Sequence, residues 1–335
     1  MVRWLLPLAM LWLFAGPGRT AVDPATLLQT YEPVLLFHPD EDWAPQPVES
    51  YLKIAKVERQ VRKGVWATVP PPIPTSTAGC TLTPCLRLNL PCKLHDGYSC
   101  YAKQAQETTD WSHPVVYGTV AVVPPTAKPP PGFTAPPRYL LHYWLFYAFD
   151  DWHSTHKRLW QTHEGDWESI AVGVGADGTP LFAAYSEHCS GTVEPWRAVT
   201  KRGGTHPVAY VALGSHANWF SAAASNTRFT ECLKGGAGSA SGRLVQLAQE
   251  QIVDRMGTAH ALGPAGQAGV TPLTLVQLRT ATTDWARFPG RWGEGQILWL
   301  GSKPRSFLTV SQGYGPGTPN WFATTVGASW HPATG

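Results

Sequence analysis

From Tyr139 the chain alternates Tyr139, Leu141, Tyr143, Leu145 and Tyr147 with Leu140, His142, Trp144, Phe146 and Ala148. Both sets are largely apolar or aromatic, the pattern of a central strand covered on both faces. Shorter apolar runs predict further strands over residues 34–37, 115–123, 167–174, 181–186 and 208–213. Asp177-Gly178 reads as a hairpin turn between two of them. Runs at residues 273–278 and 296–300 could close the sheet. Helical spacing is confined to two places. One is residues 47–61, where Pro47 suits a first turn, and the other is residues 244–256. Strands at short spacing with few helices predict a mostly β fold: an antiparallel β-sandwich with a few peripheral helices. A doubly wound α/β fold fits less well, because helices do not alternate with strands.

Two proline-rich stretches, residues 69–74 and 124–137, read as stiff extended connectors. Residues 235–242 form a Gly/Ser/Ala tract. The 335 residues are 43% hydrophobic and 15% charged with 31 prolines, enough to bury a large core with many turns. One domain over residues 21–335 accounts for this, with residues 75–105 as an insertion. The formal net charge of +3 is small and scattered, which argues against nucleic-acid binding. No glycine-rich phosphate loop follows a strand.

Arg3 followed by a short apolar run over residues 4–15, and then Gly16-Pro17-Gly18, predicts a signal peptide of about 20 residues and a secreted or extracytoplasmic protein. Six cysteines fit that compartment. Cys80, Cys85, Cys92 and Cys100 lie close together in a segment that reads as loop held by two bridges. Their spacings lack the paired short knuckles of a zinc site. Cys189 and Cys232 could form a third bridge.

Composition leaves the chemistry open, and one stretch narrows it. His163-Glu164-Gly165-Asp166-Trp167-Glu168 runs into the apolar Ser169-Ile170-Ala171-Val172. Carboxylates at the mouth of a buried strand need a partner, because desolvation costs several kcal/mol. Strand alternation puts Asp166 and Glu168 on one face, about 7 Å apart. His163, at an expected turn, and Asp150 or Asp151, at the end of the preceding strand, would share that rim in a hairpin. Oxygen donors with one imidazole suit a divalent calcium, magnesium or manganese ion more than zinc. A polar network without an ion is the alternative. His188 and His216 each follow a strand and could supply a general base or a further ligand. No Gly-x-Ser-x-Gly elbow is present. The acidic loop His38-Pro39-Asp40-Glu41-Asp42 reads as a solvated turn.

The chain resembles the family related to vacuolar protein sorting-associated protein 62. The residues that carry this are Pro33-Val34-Leu35-Leu36-Phe37-His38-Pro39-Asp40-Glu41, Tyr143-Trp144-Leu145-Phe146-Tyr147, the His163–Glu168 stretch, Tyr185-Ser186-Glu187-His188, residues 207–217 and Gly290-Arg291-Trp292-Gly293. A more distant likeness is to the secreted necrosis-inducing proteins of plant pathogens. Their Gly-His-Arg-His-Asp-Trp-Glu segment binds a divalent cation on a β-sandwich and supports binding of membrane lipid headgroups. That likeness implies His163, Asp166 and Glu168 as ligands, with Asp150 or Asp151 as the upstream acid. This chain has Glu164-Gly165 where that motif has Arg-His, which weakens any transfer of toxin activity. The expected partner is a glycan or lipid headgroup, with peripheral membrane contact. The rivals are a metal-dependent hydrolase of phosphodiester or ester bonds and a structural ion with no chemistry.

Overall fold

The computed structural model describes residues 23–92, 98–130, 132–153, 159–187, 190–223, 254–279, 282–293, 297–300, 303–304 and 330–332. Its helices are α1 (Pro24–Thr30), α2 (Val48–Leu52) and α3 (Tyr98–Gln106). The strands begin with β1 (Val34–Phe37), β2 (Lys56–Arg62), β3 (Val65–Thr68), β4 (Leu86–Asn89), β5 (Val115–Val122) and β6 (Tyr139–His153). They continue with β7 (Leu159–Val174), β8 (Pro180–Glu187), β9 (Ser190–Pro195), β10 (Lys201–Arg202), β11 (His206–Val211) and β12 (Asn218–Trp219). Last come β13 (His260–Gly263), β14 (Thr271–Pro272), β15 (Thr274–Gln277), β16 (Arg291–Trp292), β17 (Ile297–Leu300), β18 (Lys303–Pro304) and β19 (Trp330–Pro332). The chain is mostly β with few helices, as its patterning predicts.

The long β6–β7 hairpin is the spine, paired antiparallel from Tyr139 opposite Val174 to His153 opposite Trp160. It sits inside a sheet of order β15-β5-β6-β7-β8-β9-β19. A second sheet runs β10-β11-β1-β13-β14 and a third β16-β4-β2-β3. The sheets are mixed rather than purely antiparallel. β1–β11, β4–β16, β5–β15, β9–β19 and β13–β14 all pair in parallel. Only antiparallel partners can be joined by a tight hairpin. Each of these parallel pairs joins strands that no two-residue turn connects.

Both faces of β6 are buried, as its two-sided apolar pattern requires. On one face the Tyr143 hydroxyl donates to the Leu28 carbonyl (2.9 Å), tying in α1. On β8 the Tyr185 hydroxyl donates to Val208 O of β11 (3.0 Å). On the other face Phe146 meets Tyr51 of α2 and Trp292 of β16 edge-on, at 5.2 and 5.3 Å. Trp167 meets Trp292 in the same way at 5.2 Å. Such edge-on pairs add about 0.5–1.5 kcal/mol each beyond the area they bury.

Two local expectations are corrected. The helix predicted over residues 47–61 stops at Leu52, and residues 56–62 become β2. There Val57 and Val61 stand among charged residues, and β2 pairs on both sides with β3 and β4. Tertiary pairing overrides the weak helical spacing. The cysteine segment is more than loop. Leu86, Leu88 and Leu90 alternate into the core, and Tyr101 and Ala105 of α3 join them. The two bridges are Cys80–Cys85 and Cys92–Cys100. Cys189, Cys232, the proposed signal peptide, the Gly/Ser/Ala tract and most of the expected helix at residues 244–256 lie outside the described residues. The proline-rich stretch after β5 is a closed loop, since Val123 N–H donates to Arg138 O across its base (3.0 Å). No described helix is long and apolar enough to cross a membrane.

Candidate metal centre

The site lies on the β6–β7 hairpin. Asp166 and Glu168 follow the expected alternation, in register with Tyr147 and Leu145 of β6. His163 is not at a turn; it lies within β7, directly opposite Asp150. In an unbroken strand, residues three apart face opposite sides. His163 and Asp166 would then be separated by the sheet. Gly165 removes that obstacle. Its φ of +69° is open to glycine and strained for other residues. Cross-strand pairing runs through Tyr147–Asp166 and Phe149–Glu164 and skips the Ala148–Gly165 position between them. The side-chain phase slips there.

Contact from β16 fixes the slip. A Cβ on Gly165 would sit 2.3 Å from the Trp292 carbonyl oxygen, and one on Gly293 would sit 2.4 Å from the Glu164 carbonyl oxygen. The two backbones meet glycine to backbone in both directions. Glu164 adds an anchor by accepting from Leu90 N–H (2.7 Å).

The slip brings three donors together. His163 Nε2 lies 3.2 Å from Asp150 Oδ2 and 3.9 Å from Asp166 Oδ1. Taking one ligand atom from each of Asp150, His163 and Asp166, all lie within 4.8 Å of one another. The two carboxylates are buried and the His163 side chain is 15% exposed, so the imidazole marks the open side. Burial alone would lower the His163 pKa, but Asp150 and Asp166 raise it to about 9. Burial raises the Asp150 pKa, and His163 offsets part of that rise.

A second layer holds Asp166. Its Oδ2 lies 2.9 Å from His216 Nδ1, and His216 Nε2 lies 3.5 Å from Glu41 Oε1. Glu41 is itself fixed by the Gly214 and Trp43 N–H groups, at 2.8 and 3.0 Å. The His216 ring stacks on Tyr147 at 3.8 Å, nearly parallel, and its backbone adopts φ +54°. Burial pulls the His216 pKa down, but Glu41 and Asp166 raise it to about 10. Glu168 sits deeper. Its carboxylate accepts from the Ser186 hydroxyl, which in turn accepts from Ser169 N–H (2.8 Å). Burial, with Asp166 beside it, pushes the Glu168 pKa well above the usual carboxylate range.

Of the ligand positions expected from sequence, Asp150, His163 and Asp166 converge, while Glu168 bonds to Ser186 one step further in. Asp151 is outside the triad. Its backbone N–H donates to Gly214 O (2.8 Å), and its charge acts on Asp42. His216 is fully buried beside Asp166, and His188 lies outside the described residues. The loop at residues 38–42 is only partly solvated: Asp40 and Asp42 are exposed, but Glu41 is buried under His216. Glu41, Gly165 and Tyr147 are the contributors that strand parity does not reveal. The buried Trp43 and Ala44 after Glu41 are its one sequence signal, a charged loop about to enter the core.

The donor set fits a hard divalent ion, with two carboxylate oxygens and one imidazole nitrogen. Three buried carboxylates, Glu41, Asp150 and Asp166, face two imidazoles, so acidic groups outnumber basic ones around the triad. Comparison with protein-family models, curated proteins and solved structures returns no match for this chain.

Proposed function

We propose that this is an exported protein that holds a divalent cation at Asp150, His163 and Asp166 and uses it to bind an anionic oxygen ligand, a lipid headgroup or glycan. The carrying observation is the convergence of those three donors within 4.8 Å, backed by the buried Asp166–His216–Glu41 chain. Partners that orient a ligating carboxylate in this way are the usual support of a metal site. Calcium takes six to eight oxygens and magnesium six ligands, so three protein donors leave positions for solvent or a ligand oxygen. The distant likeness of the His163–Glu168 stretch to the necrosis-inducing proteins carries the same expectation. The two disulfides fit export into an oxidising compartment.

Binding is favoured over turnover because both His216 nitrogens face carboxylates and its side chain is fully buried. It orients Asp166 and cannot reach a substrate proton. A metal-dependent hydrolase is the second reading, in which a cation held at Asp150, His163 and Asp166 would polarise a phosphoryl or acyl oxygen.

The test is metal analysis of the purified mature protein, followed by titration with calcium, magnesium and manganese. Wild type is expected to bind one ion, and Asp150→Asn and Asp166→Asn to lose at least about tenfold in affinity. Vesicles with anionic headgroups, or a glycan panel, should then bind only with the ion present. Absence of bound ion together with an unchanged melting temperature in all three cations would sink the proposal. Hydrolysis of phosphodiester or ester substrates that vanishes in Asp166→Asn would favour the second reading.

A further inference from the structure

Away from the hairpin, a cleft of about 350 Å³ opens between the Cys80–Cys85 loop and the segment entering β16. Its lining includes Thr77, Thr81, Thr83, Gly290 and Arg291, and it contains no acidic residue. The Arg291 guanidinium makes no hydrogen bond or ion pair among the described residues, although its Nε is buried. Arg59 is in the same condition: its Nε is buried without a partner, and its Nη1 lies beside Gly79 of the same loop. The nearby acid, Glu58, already serves another arginine of this sheet: Arg87 donates to it at 2.7 Å.

A buried donor without an acceptor calls for water, an ion or a ligand. Arg291 in the lining and Arg59 beside the same loop, each with an Nε that lacks an acceptor, favour an anion in a cleft lined by threonines and no carboxylate. Guanidinium presents its N–H groups as a planar fork that matches carboxylate or phosphate oxygens. The volume is at the lower end for small-molecule sites and too small for a polymer. The walls are also fixed. The Cys80–Cys85 bridge closes one side, and a Cβ on Gly290 would come within 2.7 Å of the Leu86 carbonyl oxygen on the other.

We infer that this cleft is a second binding site, for a small oxyanion-bearing molecule, with Arg291 as its principal cationic contact and Arg59 as support. It is independent of the cation site: it shares no residue with Asp150, His163 or Asp166 and needs no metal.

The experiment uses the full mature chain, treated with chelator so that the cation site cannot contribute. Inorganic phosphate and sulfate are titrated against chloride at matched ionic strength, read by melting temperature and by calorimetry. Wild type should gain about 2–4 °C at tenfold excess over the dissociation constant. Arg291→Gln should weaken phosphate binding by about tenfold or more while keeping the wild-type circular dichroism spectrum. Should Arg291→Gln fail to fold, Arg59→Gln and a Cys80→Ser/Cys85→Ser chain supply the comparison, each expected to bind more weakly. A wild type that responds to phosphate no more than to chloride overturns the inference. So does an equal response in wild type and variants, which would mark an adventitious ion only.

Discussion

Gly165→Ala tests how the hairpin builds its site. The new methyl would stand 2.3 Å from the Trp292 oxygen, 2.7 Å from its carbonyl carbon and 2.9 Å from its Cβ. Two of those atoms are backbone, so no rotamer change relieves the contact. Holding alanine at φ +69° costs about 1–2 kcal/mol. Shifting β16 costs a further ~1–3 kcal/mol, by analogy with overpacked cores. The alternative is for residue 165 to return to an extended conformation. Normal alternation is then restored, and His163 turns to the face opposite Asp166. Either route gives a loss of about 2–5 kcal/mol, and the second also separates the metal donors. Urea unfolding without added cation measures the first effect; calcium or manganese titration by calorimetry measures the second. Gly165→Asn separates the causes, because asparagine tolerates the left-handed region but still carries the Cβ. The reasoning is refuted by a Gly165→Ala protein that loses less than about 0.5 kcal/mol and binds the ion within twofold of wild type.

Other outcomes are expected. His216→Gln leaves the buried Asp166 and Glu41 carboxylates without their shared cation, and should cost about 3–5 kcal/mol in urea unfolding. Burial lowers the His142 pKa to about 3, whereas the unfolded chain protonates near 6.5. His142 therefore favours the native state fully above pH 6.5, and that contribution shrinks as pH falls toward 3. Between pH 6.5 and pH 5 the loss is about 2 kcal/mol, and His142→Leu should flatten that part of a stability–pH curve. An unchanged slope in the variant would count against it. Removing Cys92–Cys100, with a separation of eight residues, should lower stability by about 2 kcal/mol on the chain-entropy account, read as a shift in denaturation midpoint.

The spine of the fold was legible because β6 and β7 are long and their apolar patterns unambiguous. Parity alone places Asp166 and Glu168 on one face. Parity has a limit here: within a regular strand it cannot bring His163 beside Asp166, and the sequence reads as turning at His163 where the fold continues β7. The resolving residue is Gly165, whose left-handed φ is dictated by β16, more than 120 residues later in the chain. Glu41 reads as solvated in the sequence for a related reason. Its flanking acids, Asp40 and Asp42, are exposed, and the fold alone brings Gly214 and His216 over it. The helix predicted after Pro47 failed because pairing with β3 and β4 outweighs local propensity.

The Asp166–His216–Glu41 chain also sets when the site can exist. Glu41 and His216 are 175 positions apart, with the hairpin acids between them. Such non-local closures form late in folding, after the entropy of the long intervening loops has been lost. A ribosome-bound or truncated chain ending before His216 would display Asp150, His163 and Asp166 without the partner that orients them. Cation affinity should therefore appear only once the last of these segments has docked. The ion would bind the finished protein in preference to its precursors, and its concentration would bias the final folding equilibrium.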